Sequence, residues 1–163
     1  MICLTGMPCS ILWTGVSRCK RLIPISLIYA EVESSERHAP ARQILTELAE
    51  GTLPWAIPWP CICEFLRVVT HPRIFHPPVP LDIVLEDLRQ LLLSPSLVLL
   101  NETARHFPVL DETIRQSGAA GNLIHDAQIV ALCLEHGVSE LITGDRDFSR
   151  FAGLKLINPF AAH

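Results

Sequence analysis

Apolar positions along the chain alternate between two spacings, and each change of spacing predicts a new element. Ala41, Ile44, Leu45 and Leu48 recur at helical intervals, and Gly51 follows as a stop. Trp55-Ala56-Ile57 is a short apolar run between prolines and predicts a strand. Ile62, Phe65, Leu66 and Val69 form a second helical stripe, ended near His71-Pro72. Arg73 to Pro80 is dense in proline, which predicts an ordered loop or a broken helix. Val84, Leu85, Leu88, Leu91 and Leu92 predict a further helix, and Leu97-Val98-Leu99-Leu100 a strand. A helix is expected from about Thr103 to Gln116, then a loop over Gly118–Gly121. Ile124 to His136 reads as a strong helix, with Gly137 placed to close it in a left-handed conformation. Glu140-Leu141-Ile142-Thr143 and Leu154-Lys155-Leu156-Ile157 predict the last two strands. Short apolar strands alternating with helices argue for an α/β fold, a parallel sheet covered by helices on both faces.

The first 22 residues break this regularity. They mix Gly, Cys, Ser, Trp and Pro without a stripe. From Leu27-Ile28-Tyr29-Ala30 the pattern sharpens, leading to a polar turn over Glu33–His38.

At 163 residues the chain has room for one domain and a real core. A mean hydropathy of +0.33 is high for a soluble monomer and points to a large apolar interface, a homodimer plus a protein partner. The formal net charge of −4 supplies no global field for nucleic acid, so such an enzyme would need local arginines and metal ions. The six cysteines contain no C-x-x-C pair, and free buried thiols in a reducing cytoplasm are the expectation. Apolar runs are too short to cross a membrane, and Arg18, Lys20 and Arg21 follow the first apolar stretch rather than precede it, unlike a signal peptide. A nucleotide-binding α/β protein would need a Gly-rich loop after its first strand, and the sequence has none there.

Chemistry in open α/β sheets collects beyond the carboxyl ends of the strands. Asp145 and Asp147 directly follow the strand ending at Ile142-Thr143, while Asp126 and Glu64 fall early in two helices. Either of the latter alone would be ordinary dipole compensation. Three or four carboxylates converging at one sheet edge would instead repel one another unless a cation sat between them. Oxygen ligands select Mg²⁺ or Mn²⁺, which can activate water and stabilise the oxygens of a phosphodiester displacement.

Three segments carry a family resemblance: Pro58-Trp59-Pro60 through Glu64 to Arg73, Gly121-Asn122-Leu123-Ile124-His125-Asp126-Ala127, and Thr143-Gly144-Asp145-Arg146-Asp147-Phe148. In order and at this spacing, with Arg150-Phe151 and Asn158-Pro159 behind them, they resemble the acidic motifs of VapC-type PIN domains. These are the ribonuclease toxins of bacterial toxin–antitoxin pairs. The resemblance runs from Leu27 to Phe160. It implies a three-layer α/β/α fold with a small, mainly parallel sheet, residues 23–160 being the domain and 1–22 an atypical lead-in. It implies Glu64, Asp126, Asp145 and Asp147 as the catalytic acids. Glu64, Asp126 and Asp145 would hold Mg²⁺ or Mn²⁺, and Thr143 and Asn122 would support them. Single-stranded RNA as substrate, a cognate antitoxin and a homodimer follow from the same likeness, and the cytoplasm is the expected location. Asn122, His125, Arg67 and Arg146 are either neighbours of the site and RNA contacts or, respectively, a helix cap, a solvated ring, one half of an ion pair and a solvated guanidinium.

One motif departs from the family. The likeness places an Asp and an Asn, in a D-x-N pattern, at the positions of Ile23 and Ile25, neither of which can bind metal. Shifting the frame back by one base over Leu22–Ser26 can spell D-x-N followed by an apolar residue. The hypothesis is a frameshift that leaves residues 1–26 largely out of frame. A nucleotide sequence permitting no D-x-N there would refute it. The other reading is a catalytically impaired PIN-fold protein with an ordinary N-terminal extension, serving only as an antitoxin-binding or dimerisation module.

Overall fold

The computed structural model describes residues 20–21, 24–32 and 35–160, with side chains from Leu27 onward. Residues 1–19 and 22–23 lie outside the described part, and with them most of the atypical lead-in and the position of Ile23. The elements run β1 (Lys20–Arg21), α1 (Pro24–Glu31), α2 (His38–Glu50), β2 (Trp55–Pro58), α3 (Trp59–Val69), α4 (Leu81–Leu92) and β3 (Leu97–Leu100). They continue with α5 (His106–Ser117), α6 (Leu123–Glu135), β4 (Glu140–Ile142), a 3₁₀ turn (Arg146–Arg150) and β5 (Lys155–Ile157).

Every strand pair is parallel. β2 lies between β1 and β3, with Lys20 opposite Trp55 and Ile57 opposite Leu99. β4 pairs with β5, Leu141 opposite Leu156. β1 also runs beside β4, so the two ladders form one small, split sheet with helices on both sides. Parallel alignment has a functional consequence: the carboxyl ends of β1, β2 and β3 open on one edge, and the residues just beyond β4 meet those just beyond β2 there.

β2 is buried along its whole length, and Trp55 and Ile57 are fully enclosed. That explains its continuous apolar run, because a strand covered on both faces has no solvent side to alternate with. α3 buries Cys61, Ile62, Phe65 and Val69; Cys61 takes the inward place that spacing gave to Leu66, which is only half-buried. Cys61 and Cys133 are buried thiols, whereas Cys63, two residues along the same helix, is exposed. α6 is apolar on nearly all sides, and Ala127, Val130, Ala131, Leu132 and Cys133 are inaccessible. It fills the centre beside β2, with α5 against it. Gly137 follows α6 at φ 68°, the left-handed stop that its position called for.

Two details differ from the sequence-based expectation. Pro24–Glu31 is helical, an element that the irregular N-terminal pattern did not disclose. α5 starts at His106 rather than near Thr103. Gly51 ends α2 where the sequence placed a stop, in an extended conformation (φ −70°, ψ 156°). Hydroxyls from a distant segment bond the last carbonyls of the helix: Ser94 Oγ donates to Ala49 O at 3.0 Å and Ser96 Oγ to Leu48 O at 3.3 Å. Losing the first of these should cost about 1 kcal/mol, as for an ordinary hydrogen bond. Ser94→Ala is therefore expected to melt roughly 2–4 °C below the parent in a thermal scan. An unchanged midpoint would mean that water replaces the hydroxyl. The proline-rich 71–80 segment is an ordered loop, tied down by Ile74 N–H to His71 O and Val79 N–H to Val69 O. No helix among the described residues is long and apolar enough to cross a membrane.

Candidate active site

The four acids singled out in the sequence come from three places on the same sheet edge. Glu64 projects from the second turn of α3, just beyond β2. Asp126 stands in the first turn of α6. Asp145 and Asp147 follow β4. Glu64, Asp126 and Asp145 line one cavity of about 590 Å³, together with Arg67, Asn122 and His125. Asp147 lies outside this lining, exposed and 3.7 Å from Arg150, yet close enough to Asp126 to act on its charge.

Local bonding explains how each side chain is held. Thr143 is buried, and its Oγ1 accepts the Asp145 N–H at 2.9 Å. Asp145 Oδ1 in turn accepts the Asp147 N–H at 2.9 Å, capping the 3₁₀ turn. One carboxylate oxygen of Asp145 is thus committed to structure, and this bonding fixes its orientation at the cavity. Gly144 sits beneath Phe160, where an added Cβ would come within 2.9 Å of the ring. Only glycine lets the chain pass there without displacing the ring. Glu64 accepts two bonds from Arg67, Nη2 to Oε1 at 2.6 Å and Nε to Oε2 at 2.9 Å. Arg67 is therefore half of an ion pair, and that fork holds the Glu64 carboxyl below the usual range. Asn122 occupies the position before α6 but makes no side-chain cap bond. His125, Asn122 and Arg146 are exposed.

The electrostatics single out Asp126. Burial first, and then the negative charges of Asp145, Asp147 and Glu64, push its carboxyl up to about 6, against a partial pull downward from His125. Among the described residues the acids do not close on a common point: no three His, Cys, Asp or Glu side chains stand within coordinating reach of one ion. Their chemistry nonetheless fits a hard divalent cation. The donors are oxygens, they face one cavity, and repulsion among them is only partly offset by protein charge. Ile28, Gln128 and Phe148 also line the cavity and were not singled out beforehand. The helical repeat through Asn122, His125 and Asp126 would have found Gln128, three residues beyond His125.

A stability test follows from Asp126. Its pKa is higher in the fold than the ordinary 3.8, so the metal-free fold binds that proton more tightly than the unfolded chain does. The favourable contribution is present at acid pH and is lost as pH rises through about 6. Metal-free protein should melt lower at about pH 7.5 than at about pH 5, and Asp126→Asn should flatten that slope. An identical slope in both proteins would show that repulsion at this site is not felt.

A family model for the PIN domain matches residues 26–154, beginning just after the positions of Ile23 and Ile25. Ribonuclease VapC37 of Mycobacterium tuberculosis is 32% identical over 133 residues, covering 82% of this chain and 92% of that protein. Among solved structures, VapBC2 from Rickettsia felis, bound to a DNA fragment from their promoter, superposes with a TM-score of 0.63 at 19% identity. That match covers 86% of this chain and 98% of the other. VapC20 of M. tuberculosis, titled a sarcin–ricin loop cleaving toxin, gives a TM-score of 0.59 at 15% identity, covering 83% and 98%. On this agreement of motifs, fold and sequence, the chain belongs to the PIN-domain family, and its relatives are the VapC ribonucleases.

Proposed function

We propose that the chain is a metal-dependent ribonuclease, the toxin half of a toxin–antitoxin pair, acting on single-stranded RNA in the cytoplasm. The observation that carries this reading is the meeting of Glu64, Asp126 and Asp145 on one cavity at the carboxyl edge of a parallel sheet. Asp126, raised to about 6 by burial and its acidic neighbours, is the position where a divalent cation would relieve the most strain. Mg²⁺ or Mn²⁺, held by Asp126, Asp145 and Glu64, would supply charge neutralisation and Lewis acidity at a phosphodiester. Thr143 fixes the backbone that carries Asp145, and Asp147 adds negative charge from the rim. Arg67 holds Glu64 and places a guanidinium at the cavity mouth.

Relatives named ribonucleases across most of the chain support the substrate class, and the fold is the one a sarcin–ricin loop cleaving toxin also has. A protein partner, the antitoxin, and a second copy of the chain would cover exposed apolar side chains such as Leu81, Ile83, Leu93 and Phe107. The test is cleavage of unstructured RNA with Mg²⁺ or Mn²⁺ titrated in, with Asp145→Asn as the control. Metal-dependent cleavage that this substitution removes supports the reading. Cleavage that survives both chelation and the substitution would sink it. Co-purification with the product of the adjacent upstream gene tests the partner.

A further inference from the structure

A second cavity, of about 670 Å³, adjoins the first, and Glu64, Arg67, His125 and Gln128 line both. Its outer wall is one face of α3. Trp59, Cys63 and Arg67, spaced by four residues, form an exposed stripe along that helix. The opposite wall comes from α6, and Glu102, just beyond β3, closes the far side. The two cavities therefore form a trough along the sheet edge, with the carboxylates at one end and Trp59 at the other.

Trp59 is the unexplained residue. The indole of Trp55, four residues earlier, is fully buried in the core, whereas Trp59 keeps 44% of its surface in contact with solvent. Beside it the polar groups are arranged but not saturated. Gln128 Nε2 donates to Glu102 Oε1 at 3.0 Å, which orients that carboxylate toward the cavity rim. Arg67 uses Nε and Nη2 on Glu64, leaving Nη1 without a partner among the described residues. A half-exposed aromatic face, a guanidinium with a spare donor and oriented acceptors in one trough match an unpaired nucleotide. The base would stack on the ring, a backbone phosphate would meet Arg67, and the base edge would reach Gln128 and Glu102.

We infer that this second cavity is a nucleotide subsite, in which Trp59 stacks on an unpaired RNA base next to the phosphodiester held at the carboxylates. The inference rests on the ribonuclease reading and adds a reason for single-strand preference: a paired base has both faces stacked within its helix and cannot offer one to Trp59. Base–aromatic stacking is worth on the order of ten- to a hundred-fold in affinity.

The experiment measures binding by fluorescence anisotropy, so it does not depend on turnover. A short labelled oligoribonucleotide without structure, and a duplex of the same length, are titrated with the parent, Trp59→Phe and Trp59→Ala. Trp59→Ala should weaken single-strand binding about tenfold or more, Trp59→Phe by no more than about threefold, and duplex affinity should be unchanged in all three. The oligonucleotide should also slow alkylation of the exposed Cys63, one turn along the same wall, with the modified peptide identified by mass. Thermal scans and light scattering accompany each variant. Single-strand affinity unchanged in Trp59→Ala overturns the subsite, as does a loss of binding that accompanies a change of molecular mass, since Trp59 would then belong to an interface between copies. If the parent binds neither RNA, the ribonuclease reading itself fails, and the subsite falls with it.

Discussion

Replacing Leu22–Ser26 with an Asp-x-Asn-Leu segment is expected to raise Mg²⁺- or Mn²⁺-dependent cleavage of single-stranded RNA by on the order of 100-fold or more over the chain as it stands. The geometry gives the reason. β1 runs parallel to β2, so its carboxyl end opens on the edge where Glu64, just beyond β2, shares a cavity with Asp145. An aspartate introduced directly after β1 would enter the edge where Asp126, Asp145 and Glu64 already share a cavity. Three carboxylates, one of them tied up by Arg67 and none of them closing on a common point with the others, would make at most a weak divalent site. A fourth adds charge where a metal ion most needs it, and several kcal/mol of metal affinity corresponds to a hundred-fold or more in occupancy. Asp126→Asn in the repaired protein should abolish the gain, because the amide keeps the shape and removes the charge. Metal-titrated cleavage by all three proteins is the measurement. Equal cleavage by the repaired and unrepaired chains would show that the first aspartate is dispensable. The gene's nucleotide sequence over the same codons decides separately whether a frameshift removed it.

The largest effect on stability is expected far from the acidic edge, at Glu135. This carboxylate is fully buried at the end of α6, where the helix dipole by itself disfavours a negative charge. It accepts the Thr103 N–H at 3.0 Å, the Thr103 hydroxyl, and a bond to His106 Nδ1 at 2.9 Å. Arg105 donates to the backbone oxygen of the same residue at 3.0 Å. Burial acts to raise the Glu135 pKa, but these donors outweigh it and leave the carboxyl below its usual range. Glu135→Ala leaves the buried His106 ring without its carboxylate partner and takes the acceptor from the Thr103 donors, and should cost about 3–5 kcal/mol, a fall in melting temperature on the order of 10 °C. Glu135→Gln, which still accepts one bond, should cost less. The depressed pKa also fixes the direction of the pH effect. Its contribution is complete above the ordinary carboxyl value and is lost as pH falls through the folded one, so the gap between parent and Glu135→Ala should narrow in acid. A denaturant titration at neutral and acid pH checks both claims. A cost under about 1 kcal/mol would mean that the network is replaceable.

Glu135 also shows where reading the chain by pattern stops. Helical spacing identified α6 and its end at Gly137, but an acidic residue in the last turn of an apolar helix reads as a solvent-facing end. Its partners lie about thirty positions upstream in a polar stretch with no periodicity, which is also why α5 was expected to begin near Thr103 rather than at His106. The same holds for α2: its stop at Gly51 was legible, but the hydroxyls that bond its last carbonyls come from Ser94 and Ser96, more than forty positions away.

The chain's own pattern determined the alternation of strands and helices, the parallel sheet, and the three motifs that carry Glu64, Asp126 and Asp145. These were legible because burial imposes a period on the elements that contribute to the core. α1 was not, because the irregular sequence before Leu27 interrupts the period that would have announced it. The tertiary structure alone decided that the acids share one cavity, that Arg67 is locked onto Glu64, and that burial together with Asp145 and Asp147 raises Asp126 to about 6. It alone left Trp59 half-exposed beside that cavity while enclosing Trp55. The difference has a physical cause. Periodicity reports which side of an element faces the core, whereas distances, ion pairs and pKa shifts arise between residues from separate elements, and only the packing of those elements sets them.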